Sequence, residues 1–314
     1  MSLHISSTPH IHQKGSTTRN IMLDVVIAML PALIAGFVIF GIKALFTAFT
    51  CVATAVVAEY LFNLCTHKEQ TIGDFSAVVT GLLLALNLST AVPLWQCMVG
   101  SAFAIVVVKC LFGGLGKNFV NPAITARVLM LLTFGAVATV EATKGVVELA
   151  GGATPLATLN QGAEIAANAE FSILDLFLGL HGGAIGETCA LALLIGFAYL
   201  VIRKVIKWYV PATYVATVFA CYFLFCGFDA VFALQHVLAG GLMLGAIFMA
   251  TDYVTTPTTN KGRVVFCVGA GLLTFAIRQF GMYPEGVSIA ILTMNLVTPF
   301  INDFTKKKTL GGVK

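Results

Sequence analysis

The chain reads as an all-α protein that crosses a membrane about ten times, and three observations predict this. Charged residues make up 10% and hydrophobic residues 58%, whereas a soluble domain carries about 25% charged residues. Mean hydropathy is +0.94, so polar surface for a water-facing globule is lacking. Apolar runs recur along the 314 residues, many of them long enough for a hydrocarbon core about 30 Å thick, which needs roughly 17–25 residues. No polar segment is long enough for a separate soluble domain, so the chain is not expected to hold a nucleotide-binding or iron–sulfur domain of its own.

Residues 1–20 are polar, include Lys14 and Arg19, and precede an apolar run too long for a cleaved signal, so they are expected to form a cytoplasmic tail. Spans are expected at roughly 21–42, 45–65, 76–89, 94–112, 122–140, 184–203, 209–227, 231–250, 263–281 and 285–303. Pro122 opens the fifth, a position where its missing N–H costs nothing. The 76–89 run is short, and Gly240, Gly241 and Gly245 loosen 231–250, so both read as half-length or broken helices. Residues 305–314 form a basic tail.

Positive residues favour the cytoplasmic side. With the N-terminus inside, all of the 18 Lys and Arg except Lys43, Lys144 and Arg278 fall at or near inner ends. The 141–170 loop then lies outside, where Glu141, Glu148, Glu164 and Glu170 outnumber Lys144. Five spans on either side of it give two repeats, 21–140 and 171–304, inverted with respect to the membrane. Thr80-Gly81-Leu82-Leu83-Leu84 weakly resembles Gly240-Gly241-Leu242-Met243-Leu244, and Asn121-Pro122-Ala123 sits where Pro284-Glu285-Gly286 opens the tenth span. Inverted repeats with interrupted helices put a binding site near the midplane, in a transporter or channel as readily as in a redox protein.

Within the outer loop, Gly152-Ala153-Thr154-Pro155 presents a hydroxyl among small residues, accessible to an enzyme that fastens a cofactor from outside; an ordinary glycine-rich loop has the same composition. Asp24, Glu59, Lys109, Arg127, Glu187 and Asp303 lie in or at the ends of apolar runs, where charges pair, reach the interface or face a cavity. Arg127 lies within reach of a phosphate or a ring oxygen near the helix start at Asn121-Pro122-Ala123. The Gly113–Ala123 hinge offers free N–H groups at that start or is a tight turn. Asp252, Thr255 and Thr256 either ligate a hard cation or cap helix ends. The eight cysteines lack the clustering of an iron–sulfur site and read as small buried hydrophobes; the six histidines lack metal-site spacing.

Taken together, Ser6-Ser7-Thr8-Pro9-His10-Ile11, Arg19–Val25, Gly116–Ala123, Gly152–Ala157, Phe248–Asp252, Tyr283–Val287 and Met294–Pro299 resemble, in order and spacing, the RnfD family, the D-type membrane component of the Rnf complex. That complex is an ion-translocating ferredoxin:NAD oxidoreductase of the inner (plasma) membrane. The NqrB component of the sodium-pumping NADH:quinone reductase is similar but longer at its N-terminus. The resemblance implies a urea-transporter-like bundle with FMN on Thr154 through a phosphoester bond. It also implies a second, non-covalent flavin, riboflavin, for which Asn118, Asn121 and Arg127 are the candidate contacts. Glu148 and Gly151 depart from the family's usual acid and hydroxyl ahead of Gly-Ala-Thr. Implied partners are the other Rnf subunits: the A-type and E-type membrane components, the G-type flavin component, and the B-type and C-type iron–sulfur components. The lipid bilayer and Na⁺ or H⁺ complete the set, and no nucleic acid is expected.

A flavin supplies the redox chemistry and the protein fixes its place, so no bond-making active site is expected here. Asp24, Glu59, Asp252 and Asp303 are the candidate stations of an ion path. The rival readings are the quinone-reductase component, a solute channel or transporter of similar fold, and a purely structural assembly protein.

Overall fold

The computed structural model describes residues 17–134, 156, 159, 172–281 and 285–306, and every regular element among them is helical. Helix α1 spans Thr18–Phe40, and the Thr17 hydroxyl caps its start by accepting from the Asn20 N–H. Gly41, at φ 75°, separates it from α2, Ile42–Cys65. A short 3₁₀ turn, Ile72–Asp74, leads into α3, Ser76–Leu86. Helix α4, Leu94–Phe103, continues as a π-helical stretch to Cys110, and α5 runs Pro122–Phe134. The second half contains α6 (Ile173–Leu178), α7 (Ala190–Ile202) and α8 (Tyr209–Phe225). It continues with α9 (Ala230–Leu238) and α10 (Leu242–Leu244), which passes into a π-helical turn, Gly245–Met249. Helices α11 (Asn260–Phe280) and α12 (Val287–Thr305) complete it.

Helices α1, α2, α11 and α12 are each long and apolar enough to cross a membrane, and α9 with α10 passes the same test as one element bent by 68°. Side chains such as Ile34, Phe46, Phe49 and Leu132 point away from the protein, as a lipid-facing belt requires. In lipid, helices gain little from burying one another's apolar faces and depend on close packing of small residues. Gly196 of α7 packs against the backbone of α1 so closely that an added Cβ would lie 2.2 Å from the Ala28 carbonyl oxygen. Gly81 of α3 packs likewise on the backbone of α2 at Cys51 and Val52.

Both interruptions expected from sequence are present. Helix α3 has 11 residues, and α9 and α10 part at Ala239–Gly241, with Gly240 at φ 73°. One expected boundary is corrected. The span placed at 184–203 becomes helical only at Ala190. Residues 182–188 form an irregular, largely buried segment instead, because Gly182, Gly183 and Gly186 break helical continuity. That segment satisfies its backbone inside the protein, as irregular chain at membrane depth must. Ile185 N–H donates to Leu88 O (3.0 Å) and Gly186 N–H to Leu86 O (2.8 Å). Helix α6 precedes it and was not expected.

Helices α5 and α12 pack side by side and antiparallel, with Arg127 against Ser288 at one end and Asn121 against Asn295 at the other. The end of α3, the irregular segment, the α9–α10 break and the starts of α5 and α12 therefore converge on the interior.

Candidate functional site

Two polar regions arise from this convergence. The first is a cavity of about 790 Å³, its open side included, between α1, α3, the π-helical end of α4, the start of α5 and the segment after α10. Its walls are mostly apolar, with Met22, Leu83, Leu200 and Phe248 among them. Polar groups enter from Asn118, Asn121, Lys109, Thr80 and Asp252. Small-molecule sites share this lining, apolar walls with a few placed polar groups. Lys109 and Phe248 both sit on π-helical stretches, which recur at functional sites.

Asn121 holds the start of α5: its Oδ1 accepts from the N–H groups of Ala123 (3.0 Å) and Ile124 (3.3 Å). Its Nδ2 lies 3.5 Å from Asp252 Oδ2. Asp252 also accepts from the Val254 N–H and, at 3.0 Å, from the Thr255 hydroxyl. Asn118 donates to Val120 O at 3.1 Å, but its buried Oδ1 has no hydrogen-bond donor among the described residues. An orphaned buried acceptor beside apolar walls fits a planar heterocycle with a ring N–H, as a flavin has. Lys109 donates to both Glu59 oxygens (2.9 Å each) and to the Ser76 hydroxyl (2.6 Å), and Glu59 also accepts from Thr71.

The second region surrounds Arg127, which does not line the cavity. Its Nη1 donates to Asn87 Oδ1 (2.8 Å) and Ser288 Oγ (3.0 Å), and Nη2 donates to Glu285. Glu187 and Glu285 both border the α9–α10 break, Glu187 Oε2 at 3.0 Å from the place of an added Cβ on Gly241 and Glu285 Oε1 at 3.8 Å from that on Gly240, and Glu187 Oε1 is held by the Ala184 N–H at 2.9 Å. The structure thus brings Asn118, Asn121 and Asp252 together and sends Arg127 elsewhere. Asn87, Glu285 and Ser288 were missed as site residues. The only hint of Asn87 is an amide closing the apolar run of α3.

The remaining candidate charges have partners. Asp24 accepts from Tyr199 Oη (2.9 Å) and pairs with Arg203 (3.2 Å). Asp303 pairs at the surface with Lys306 (2.5 Å). Asp252 has no cationic partner among the described residues. Thr154 lies outside the described residues. Just beyond it, Leu156 and Leu159 are buried against Ala239, and Leu156 packs over Gly240.

Spanning helices, with interrupted elements that meet at an interior polar core beside an open cavity, define a polytopic helical membrane protein. The chain belongs to the NQR2, RnfD, RnfE family, whose profile matches residues 4–311. It is 45% identical, over 100% of this chain and 97% of the relative, to the D-type component of the Na(+)-translocating ferredoxin:NAD(+) oxidoreductase complex of Acetobacterium woodii. The D-type component of the proton-translocating ferredoxin:NAD(+) oxidoreductase complex of Clostridium ljungdahlii is 39% identical over 98% of this chain and 96% of its own. The D-type component of the ion-translocating oxidoreductase complex of Stutzerimonas stutzeri is 36% identical over 94% and 93%. The resemblance drawn from the sequence motifs is borne out at the level of the family.

Proposed function

We propose that this chain is the D-type membrane component of an Rnf-type complex and carries electrons between ferredoxin- and NAD-handling partners on flavins. The observation that carries the reading is the end-to-end similarity to relatives named as that component, joined to the Gly152-Ala153-Thr154-Pro155 loop. FMN is held on the Thr154 hydroxyl by a phosphoester bond, on the extracytoplasmic side. A second flavin, riboflavin, sits without a covalent bond in the cavity. There Asn118 and Asn121 orient it through their amides, and the apolar walls, with Phe248, exclude water. Bound flavin supplies one- and two-electron redox chemistry; the chain supplies position and surroundings.

The rest of the reading concerns arrangement. Both termini are cytoplasmic in the inner membrane, and ten spans form two inverted repeats, 21–140 and 171–304. The A-type and E-type membrane components, the G-type flavin component and the B-type and C-type iron–sulfur components complete the complex. Electron arrival adds negative charge in a low-dielectric region, which attracts a compensating Na⁺ or H⁺. Asp252 is the station best suited to that ion, because its carboxylate adjoins the cavity and meets hydroxyl and amide groups rather than a Lys or Arg. Asp24, Glu59 and Asp303 are held by Arg203, Lys109 and Lys306.

Thr154→Ala tests the assignment. Flavin fluorescence of the denatured polypeptide is expected to vanish, while flavin released from the native complex by acid persists. Retained fluorescence on the denatured polypeptide removes Thr154 as the attachment point. Loss of both pools shows that the two sites are not separate.

A further inference from the structure

We propose that Glu187 and Glu285 hold one exchangeable proton between them, forming a buried proton-binding site at the break between α9 and α10. Glu187 is 3% exposed, and its Oε2 has no hydrogen-bond donor among the described residues. A carboxylate oxygen left unpaired in a non-aqueous interior is costly. That atom lies beside Gly241, whose added Cβ would come within 3.0 Å of it and within 3.5 Å of Arg127 Nη1. Glycine at the break therefore leaves room for the carboxyl group.

The charges around the pair decide what it binds. Arg127 of α5 and Glu285, just before α12, are the charged groups that face Glu187. Helix α3 contributes only the neutral Asn87, and α12 only the Ser288 hydroxyl. On the chain segment of Glu187 itself, His181 is turned to the Gly182 carbonyl at 3.0 Å. At Gly240, Arg278 of α11 donates to the carbonyls of His236 and Ala239, and its Nη2 and Glu285 Oε1 lie 3.3 and 3.8 Å from the place of an added Cβ, so its positive charge falls on the Glu285 side of the pair. Two ionised carboxylates would thus crowd two negative charges at the break, where Arg127 is the guanidinium that hydrogen-bonds to one of them and Arg278 is spent on backbone carbonyls. Carboxyl groups that share a site cannot both ionise readily. One proton relieves that crowding and supplies the missing donor: one carboxylate oxygen gains an O–H bond that points to the other carboxyl group. No electron moves and no other bond changes. The proton comes from water on the Glu285 side, whose side chain is 17% exposed.

A metal cation fits less well. Hard cations need a shell of oxygen ligands, no cluster of three or more His, Cys, Asp or Glu able to hold a metal occurs among the described residues, and the Arg127 guanidinium repels a second cation. The site is separate from Asp252 and from the flavin cavity, so its test does not depend on either flavin.

Infrared spectroscopy of the purified complex, carrying ¹³C-glutamate in this polypeptide, reads the proton directly. At neutral pH a glutamic-acid C=O band sensitive to ²H₂O exchange is expected, and it should disappear as pH is raised. In Glu187→Gln and in Glu285→Gln the band should be absent, because either change breaks the pair. Absence of the band in the unsubstituted complex overturns the proposal whether or not the variants fold. So does a band that survives in both variants. So does a band removed at constant neutral pH by replacing choline with Na⁺, which would make this a sodium site.

Discussion

Lys109 and Glu59 bury opposite charges side by side, at 2% exposure each. Their attraction offsets a desolvation cost of similar size, so what matters is that neither is left alone. Lys109→Met leaves the Glu59 carboxylate with only the Thr71 hydroxyl as donor among the described residues. It should lower stability by about 3–5 kcal/mol, seen as an early thermal unfolding transition of the solubilised protein. The double variant with Glu59→Leu should recover most of that loss, since an apolar pair of similar volume is often neutral. If the double variant is as unstable as the single one, the ion pair is not the reason for the loss. The sequence made these charges visible as candidates but did not pair them. Glu59 and Lys109 stand 50 positions apart on different helices, and only the fold shows that each answers the other. Asn118 and Asn121 were legible because glycines, an amide and Pro122 crowd one hinge. Arg127 was read with them from proximity along the chain, but helical rotation carries its side chain to the far side of α5, toward Glu285.

Among the elements, α1 and α7 meet where Gly196 touches the Ala28 backbone. A methyl group there cannot be absorbed by a side-chain rotation, because its neighbour is a carbonyl oxygen. Gly196→Ala should therefore push the helices apart and cost about 1–3 kcal/mol, as overpacking does. Gly73→Ala, with nothing within 4 Å of its added Cβ, is the matched control. Equal unfolding temperatures for both variants would show that this contact does not hold α1 to α7. Most helix bounds were legible because lipid demands long apolar runs and the loops collect Gly, Pro and charge. The exception is instructive. Residues 182–188 are apolar enough to read as part of a span, yet their glycines and their hydrogen bonds to α3's end keep them irregular. Hydropathy cannot separate buried loop from helix.

For the whole molecule, orientation is the property that composition predicts and helix packing does not. A cysteine introduced between residues 160 and 170, in a background without the eight native ones, should react with an impermeant thiol reagent added outside intact cells. Labelling only after the membrane is opened would invert the arrangement. The relatives carry a further lesson at this scale. One is named for Na⁺ and another for protons, yet this chain matches both over nearly its full length. Membership of the family is therefore compatible with either ion.

The hydrogen bonds from Ile185 and Gly186 to the carbonyls of Leu88 and Leu86 carry a consequence for biogenesis. A ribosome delivers Leu86 and Leu88 roughly a hundred residues before their partners. Until then two acceptors at the tip of α3 stay unanswered, and the first half waits in the bilayer unfinished. Nascent chains stalled before Ile185 should thus be the natural prey of membrane quality-control proteases, and completion of the protein the event that releases them from that risk.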